Sequence, residues 1–351
     1  VFIVSNRQIG LRNRMLIAQA MGTESLEGIV KLAKHVLYIT GIIELLGAIV
    51  LSIRFVPKYG FFKGMWFSIF HSVSAFCNAG FDIIGDGNSM LSYRHDPLVL
   101  CTLAVLVAIG GLGFIVWEDI IAKKSWKRLN VYSKVIIFAQ IFFIVAGAFV
   151  YFILEYGNIN TIGAESVGQK ILASFFQSVT TRTAGFNTAD LSGMTGASQA
   201  IMIVLMMIGG APGSTAGGMK ITTFAVLTAN ASATFRQRED TQMFGRRVGQ
   251  EVLKNASTIL MMYLFLVLMG GMVVSVAENL PISECLFETA SAVGTVGLTL
   301  GITPRLGVLS KGILIALMFL GRVGGLTLVY AAMPGRKSAH AKMPLEKINV
   351  G

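Results

Sequence analysis

Thr183-Ala184-Gly185-Phe186 decides how this chain is read, because the same pattern precedes it as Asn78-Ala79-Gly80-Phe81 and follows it as Thr295-Val296-Gly297-Leu298. The glycines stand 185 − 80 = 105 and 297 − 185 = 112 residues apart. Each motif ends a moderately apolar stretch: Gly64 to Asn78, Gln169 to Thr181 and Ser283 to Val293. A bilayer needs about 20 residues of helix, so these stretches are too short to span and predict re-entrant helices. The spacing fits one helix, one re-entrant loop and one further helix, a threefold internal repeat.

Outside the motifs lie six apolar runs, at 35–55, 97–117, 134–155, 198–225, 256–277 and 307–333. Together they explain a composition of 54% hydrophobic and 13% charged residues, which a soluble domain does not have. The formal charge of +11 is distributed by side rather than gathered for a nucleic acid. Arg7, Arg12, Arg14, Lys31 and Lys34 precede the first run, and Lys123, Lys124, Lys127 and Arg128 follow the second. Arg236, Arg238, Arg246, Arg247 and Lys254 separate the fourth from the fifth, and Arg336, Lys337, Lys342 and Lys347 close the chain. The positive-inside rule makes these regions cytoplasmic, both chain ends included. Segments 56–96, 156–197 and 278–306 then face outward.

Irregular backbone at membrane depth is tolerated only where protein buries it or water bathes it, so three glycine motifs predict a shared cavity. A tight turn or a close helix contact explains any one glycine in a chain with 39 of them, but explains three in register less well. Glycine reaches positive φ and adds no side chain, so carbonyl oxygens can line a pore and replace the hydration shell of a cation. Asn78 and Asp82 flank the first of these glycines and would brace the loop or concentrate cations. Arg182 would repel a cation from the axis and is expected behind the motif. Glu44, within the first run, pairs with a pore-lining group or satisfies a neighbouring helix.

The fourth run is interrupted from Gly209 to Gly218 by five glycines, Pro212 and small hydroxyl residues, which predicts a loop inside the membrane. Such a loop obstructs a pathway in one state and withdraws in another, unless it is a static kink. Ser214, Thr215 and Lys220 carry the groups to hold a closed form. A phosphate-binding loop is excluded because Met219 separates Lys220 from the last glycine. Arg322 stands inside the last run, where a cation needs water, a carbonyl or an acidic partner. Cys77, Cys101 and Cys285 have no metal-ligand spacing and read as packing residues; His35, His71, His95 and His340 form no catalytic constellation, so no enzyme is expected.

The three motifs, together with Gly209-Gly210-Ala211-Pro212-Gly213-Ser214-Thr215-Ala216-Gly217-Gly218-Met219-Lys220 and Gly321-Arg322-Val323-Gly324-Gly325-Leu326-Thr327, resemble the membrane subunit of Ktr potassium transporters, in the Trk/Ktr/HKT superfamily. The ending Lys347-Ile348-Asn349-Val350-Gly351 is similar as well. The resemblance implies an all-α integral membrane fold, with helix/re-entrant loop/helix units around one K+ channel-like pore. Three of an expected four units are visible. By position Gly80, Gly185 and Gly297 correspond to the filter glycines of the second, third and fourth units. With the first unit missing and Val1 in place of an initiator Met, the chain is expected to be the remainder of a longer protein.

On this reading 1–34 is a cytoplasmic connector, 35–122, 134–228 and 255–333 are pore units, 123–133 and 229–254 are cytoplasmic loops, and 334–351 is a cytoplasmic tail. The resemblance implies K+ uptake across the cell membrane, passive or Na+-assisted, through backbone carbonyls near Gly80, Gly185 and Gly297. K+ is then the transported ion and Na+ an activator, with no covalent cofactor. Gly209, Gly210, Gly213, Ser214, Thr215, Gly217, Gly218, Lys220 and Arg322 would gate. A homodimer docked on a nucleotide-binding regulatory ring is implied, with the loop Arg236 to Lys254 and the tail as contact surfaces. Only Thr295-Val296-Gly297 closely resembles the K+ channel signature, so K+ preference rests on the resemblance. A secondary carrier with a broken-helix substrate site and a non-transporting scaffold are the competing readings.

Overall fold

The computed structural model describes residues 29–85 and 89–324, together with Met15. Helix α1 (Ile29–Tyr59) ends at Gly60, whose φ of 83° lets the chain reverse into α2 (Phe61–Phe76), which packs back along α1. Asp96 then caps α3 (Pro97–Gly110) by accepting from Leu98 N at 3.0 Å, and α4 (Phe114–Lys123) follows. The sequence repeats the plan. Helix α5 (Val131–Glu155) is followed by α6 (Val167–Thr180), started by a capping box between Ser166 and Gln169, then α7 (Gly196–Met207) and α8 (Ile221–Phe235). A two-stranded hairpin, β1 (Gln242–Met243) and β2 (Arg246–Arg247), leads into the third round. That round is α9 (Gln250–Glu278), α10 (Ile282–Val293) and α11 (Val308–Val323).

Each round thus has one long apolar helix, one short helix folded back on it, and a second partner, which breaks in the first two rounds. Among the described residues α1, α5 and α9 are long and apolar enough to cross a membrane alone. The run 97–117, expected as one continuous span, is broken at Gly111–Gly113, with α3 and α4 bent by 91°. Helix α7 has 12 residues, about 18 Å of rise against a hydrocarbon core of about 30 Å. The remainder of the last run, including Gly325-Leu326-Thr327, the C-terminal tail and the N-terminal connector up to residue 28, lie outside the described residues.

The surface is apolar where lipid would lie: Leu45 and Ile53 on α1, Phe138 and Phe149 on α5, and Met261 and Phe265 on α9 are all exposed. An apolar belt of this extent exceeds what soluble monomers tolerate. Inside, Leu51, Phe55, Leu103, Phe176 and Phe186 form one core cluster, and Met206, Val267, Phe287 and Val293 belong to a second. The second helix of one round packs on the short helix of the next, α3 against α6 and α7 against α10. Backbones come into contact there: a Cβ on Gly294 would lie 2.4 Å from Met206 O. Within a round the approach is closer still, with a Cβ on Gly110 meeting Phe76 O at 2.0 Å and one on Gly321 meeting Val293 O at 1.9 Å.

A carboxylate closes the same end of every round. Glu155 accepts from Thr195 N at 3.0 Å, Glu278 accepts from Gly307 N at 2.9 Å, and Asp96 pairs with Arg54 at 3.0 Å. The cysteines differ from expectation, since only Cys285 is buried; Cys77 and Cys101 are exposed, the latter in an apolar groove between α1 and α3.

Candidate functional site

Helices α2, α6 and α10 stop at Phe76, Thr180 and Val293, and the backbone beyond each turns in the same way. Asn78, Thr183 and Thr295 have φ of 49°, 65° and 51°; two residues later Gly80, Gly185 and Gly297 have φ of 68°, 81° and 89°. For β-branched threonine that region costs about 1–3 kcal/mol, so it persists only where the surroundings enforce it. The segments converge: a Cβ on Gly80 would lie 2.2 Å from Ala184 O, one on Gly185 2.2 Å from Val296 O, and one on Gly297 4.0 Å from Gly185 Cα.

Hydroxyl groups hold each segment from behind. Ser72, Ser178 and Thr289 donate to carbonyls of the long helices, at Glu44 (2.6 Å), Ile144 (2.8 Å) and Val267 (3.2 Å). Two residues on, Ser74 donates to Phe81 O at 2.8 Å, Thr180 to Phe186 O at 2.7 Å, and Ser291 Oγ accepts from Gly297 N at 3.1 Å. Glycines on the long helices make room, since a Cβ on Gly47 or Gly147 would strike the Ser72 or Ser178 hydroxyl at 2.4 or 2.5 Å. Sequence reasoning missed these braces. Their signal is a hydroxyl pair 8 and 6 residues before Gly80 and Gly297 but 7 and 5 before Gly185, and the one-residue offset hides it.

On one side the three glycines border a single mouth of about 790 Å³, lined also by Asp82, Asp190 and Glu284. At the other end, Asn78 Nδ2 reaches Thr183 Oγ1 at 3.4 Å, while Asn78 Oδ1 and Thr295 Oγ1 are buried with no hydrogen-bond partner among the described residues. Two acceptors so placed suit a cation that has shed its water, because an unsatisfied buried polar atom otherwise costs about 1–3 kcal/mol.

The loop between α7 and α8 lies against this end. Its neck is drawn together by Gly209 N to Met219 O at 2.7 Å and Ile221 N to Gly210 O at 3.0 Å. Its tip touches two of the segments. Thr215 Oγ1 donates to Phe76 O at 2.9 Å, and Gly217 packs so tightly on Thr295 that a Cβ would meet its Oγ1 at 2.0 Å. Helix breaks hold it in place: Ala211 N donates to Gly111 O at 2.9 Å, Phe114 N to Gly213 O at 3.0 Å, and Gly218 N to Gly321 O at 3.2 Å. Arg322 Nη1 donates to Thr215 O at 2.6 Å. Ser214 and Lys220 bond only within the loop, to Ala211 O and Ala216 O. Arg182 is fully buried behind its segment and donates to Gln140 Oε1 at 3.2 Å and Gly209 O at 3.0 Å. Glu44 lies on the same side of the segments, 3.8 Å from Cys77 Sγ.

The model of the TrkH cation transport protein matches residues 12–341. This chain belongs to the TrkH family. The TrkH-family chain is 37% identical over 356 residues to the potassium/sodium uptake protein NtpJ of Enterococcus hirae, covering 100% of this chain and 78% of that protein. It is also 37% identical over 331 residues to Ktr system potassium uptake protein B of Bacillus subtilis, covering 94% and 74%. The crystal structure of the potassium transporter TrkH from Vibrio parahaemolyticus superposes with a TM-score of 0.72 at 21% identity, over 92% of this chain and 69% of that one. The fold is that of a membrane-embedded cation transport protein.

Proposed function

We propose that this chain is the conducting membrane subunit of a K+ uptake system in the cell membrane. Cations cross between the segments Asn78–Phe81, Thr183–Phe186 and Thr295–Leu298. What carries the reading is the pair of positive-φ residues repeated after three short helices, whose glycines border one mouth. Stripping water from a cation costs on the order of tens of kcal/mol unless fixed oxygens take its place, and carbonyls held from behind by hydroxyl braces can do so without reorganising. Asp82, Asp190 and Glu284 raise the cation concentration at the entrance.

Loop 209–218 closes the inner end of the pathway, held by Arg322 and Thr215, and conduction requires its withdrawal. The distribution of cations along the chain supports an orientation with both chain ends cytoplasmic. The names of the relatives, one a potassium/sodium uptake protein and one a component of a Ktr system, support K+ as cargo, a role for Na+, and regulation by partner subunits. A homodimer on a nucleotide-binding ring, meeting the loop Arg236 to Lys254, fits that assembly.

Reconstitution of the full-length transporter in liposomes tests the reading. Potassium or rubidium influx, with electrical current, is expected on a K+ gradient. Turnover too slow for a pore would make the protein a carrier, and absence of flux from an intact assembly would make it a scaffold.

A further inference from the structure

Nine residues before Gly80 stands His71, and nine before Gly297 stands Glu288. Eight before Gly185, with the offset already seen for the hydroxyl braces, stands Gln177. All three are buried in the short helices, yet they are not equally satisfied. Among the described residues, His71 Nδ1 bonds to Phe67 O at 2.7 Å and its Nε2 has no partner; Gln177 Nε2 reaches Met202 Sδ at 3.5 Å and its Oε1 has none.

Glu288 uses both oxygens. Oε1 accepts from the Thr299 hydroxyl and from Leu300 N at 3.1 Å, and Oε2 accepts from Thr303 Oγ1 at 2.7 Å. Thr299 Oγ1 in turn accepts from Gly301 N at 2.9 Å. One buried carboxylate therefore organises the whole turn 299–303. That turn starts two residues after Gly297, and its Thr299, Leu300, Gly301 and Ile302 wall the mouth.

We infer that Glu288 is a positioning residue for ion discrimination: it fixes the outer end of Thr295–Leu298 by holding the turn that continues it. The inference rests on the proposed filter. Selection by carbonyls depends on how firmly they are held, since a loose ring contracts onto a smaller ion. The braced segment is also the one whose Thr-Val-Gly matches the K+ channel signature, whereas the equivalent positions behind the other two carry His71 and Gln177. Glu288 touches no ion and acts through Thr299, Leu300 and Thr303.

The test uses the full-length transporter in liposomes and reads the ratio of K+ to Na+ uptake. Thr299→Val with Thr303→Val removes two charge-assisted hydrogen bonds with little change in shape. The ratio is expected to fall about tenfold, because each such bond is a substantial fraction of the free energy that a tenfold change represents. Glu288→Gln, which keeps one acceptor oxygen, should lower the ratio by about threefold. Ser310 Oγ donates to Glu278 Oε1 in the same round but away from the segment, so Ser310→Ala should leave the ratio unchanged. A wild-type ratio in the double variant, or an equal loss in Ser310→Ala, overturns the inference while K+ flux itself persists. An unaltered protein that moves neither ion overturns the filter reading, and this inference with it.

Discussion

Gly185 stands so close to Val296 that a Cβ on it would lie 2.2 Å from the Val296 carbonyl oxygen, while its own φ is 81°. Gly185→Ser therefore combines a left-handed strain of about 1–2 kcal/mol with a backbone clash that flexible side chains cannot relieve. The segments must separate, and in the proposed filter their oxygens then no longer fit one ion. K+ uptake in competition with Na+ should lose at least about tenfold in preference. Retention of wild-type preference would argue against a filter at this position.

Arg322 holds the loop through one charge-assisted hydrogen bond to Thr215 O. Such bonds contribute about 1.5–3 kcal/mol when shielded, but Arg322 is exposed, which reduces the figure to roughly 1 kcal/mol. Arg322→Ala is expected to raise basal K+ flux about fivefold and to blunt regulation by cytoplasmic partners. Unchanged flux together with unchanged regulation would remove Arg322 from the gate.

Glycines differ in what they permit. A Cβ on Gly110 would strike Phe76 O at 2.0 Å and Thr215 Oγ1 at 2.9 Å, whereas one on Gly41 meets nothing within 4 Å. Gly110→Ala should destabilise the protein by about 1–3 kcal/mol, and Gly41→Ala should stabilise it by up to ~1 kcal/mol through helix propensity. Thermal unfolding in detergent compares them. Equal Tm values would contradict the close approach of α3 to the end of α2.

How much of this was legible depended on whether side chains or backbone carried the feature. Gly80, Gly185 and Gly297 repeat as residue types, so their register could be read directly, and the loop at 209–218 declared itself by five glycines and a proline. The break at Gly111–Gly113 did not, because the window 97–117 is apolar throughout and a Gly-Gly pair is ordinary in membrane helices. Partners of the loop were hidden for another reason. Phe76, Gly110, Gly111 and Gly321 bond to it through backbone atoms, and backbone atoms leave no residue pattern.

Arg182 is the largest fully buried side chain, and it has no carboxylate partner among the described residues. Its Nη2 bonds Gln140 on α5 and Gly209 at the neck of the loop, its guanidinium lies 5.2 Å from the Phe143 ring centroid, and Nε and Nη1 have no partner. A cation held so sparingly is costly, and what distinguishes its two hydrogen bonds is that the proposed gating moves the loop neck and leaves α5 in place. Arg182→Lys cannot span both acceptors and should raise basal flux as well as lowering Tm. Gln140→Leu leaves the Gly209 bond in place and should lower Tm by an amount corresponding to about 1–3 kcal/mol with basal flux unchanged. If both variants raise flux equally, the coupling runs through packing of the whole segment rather than through the Gly209 carbonyl.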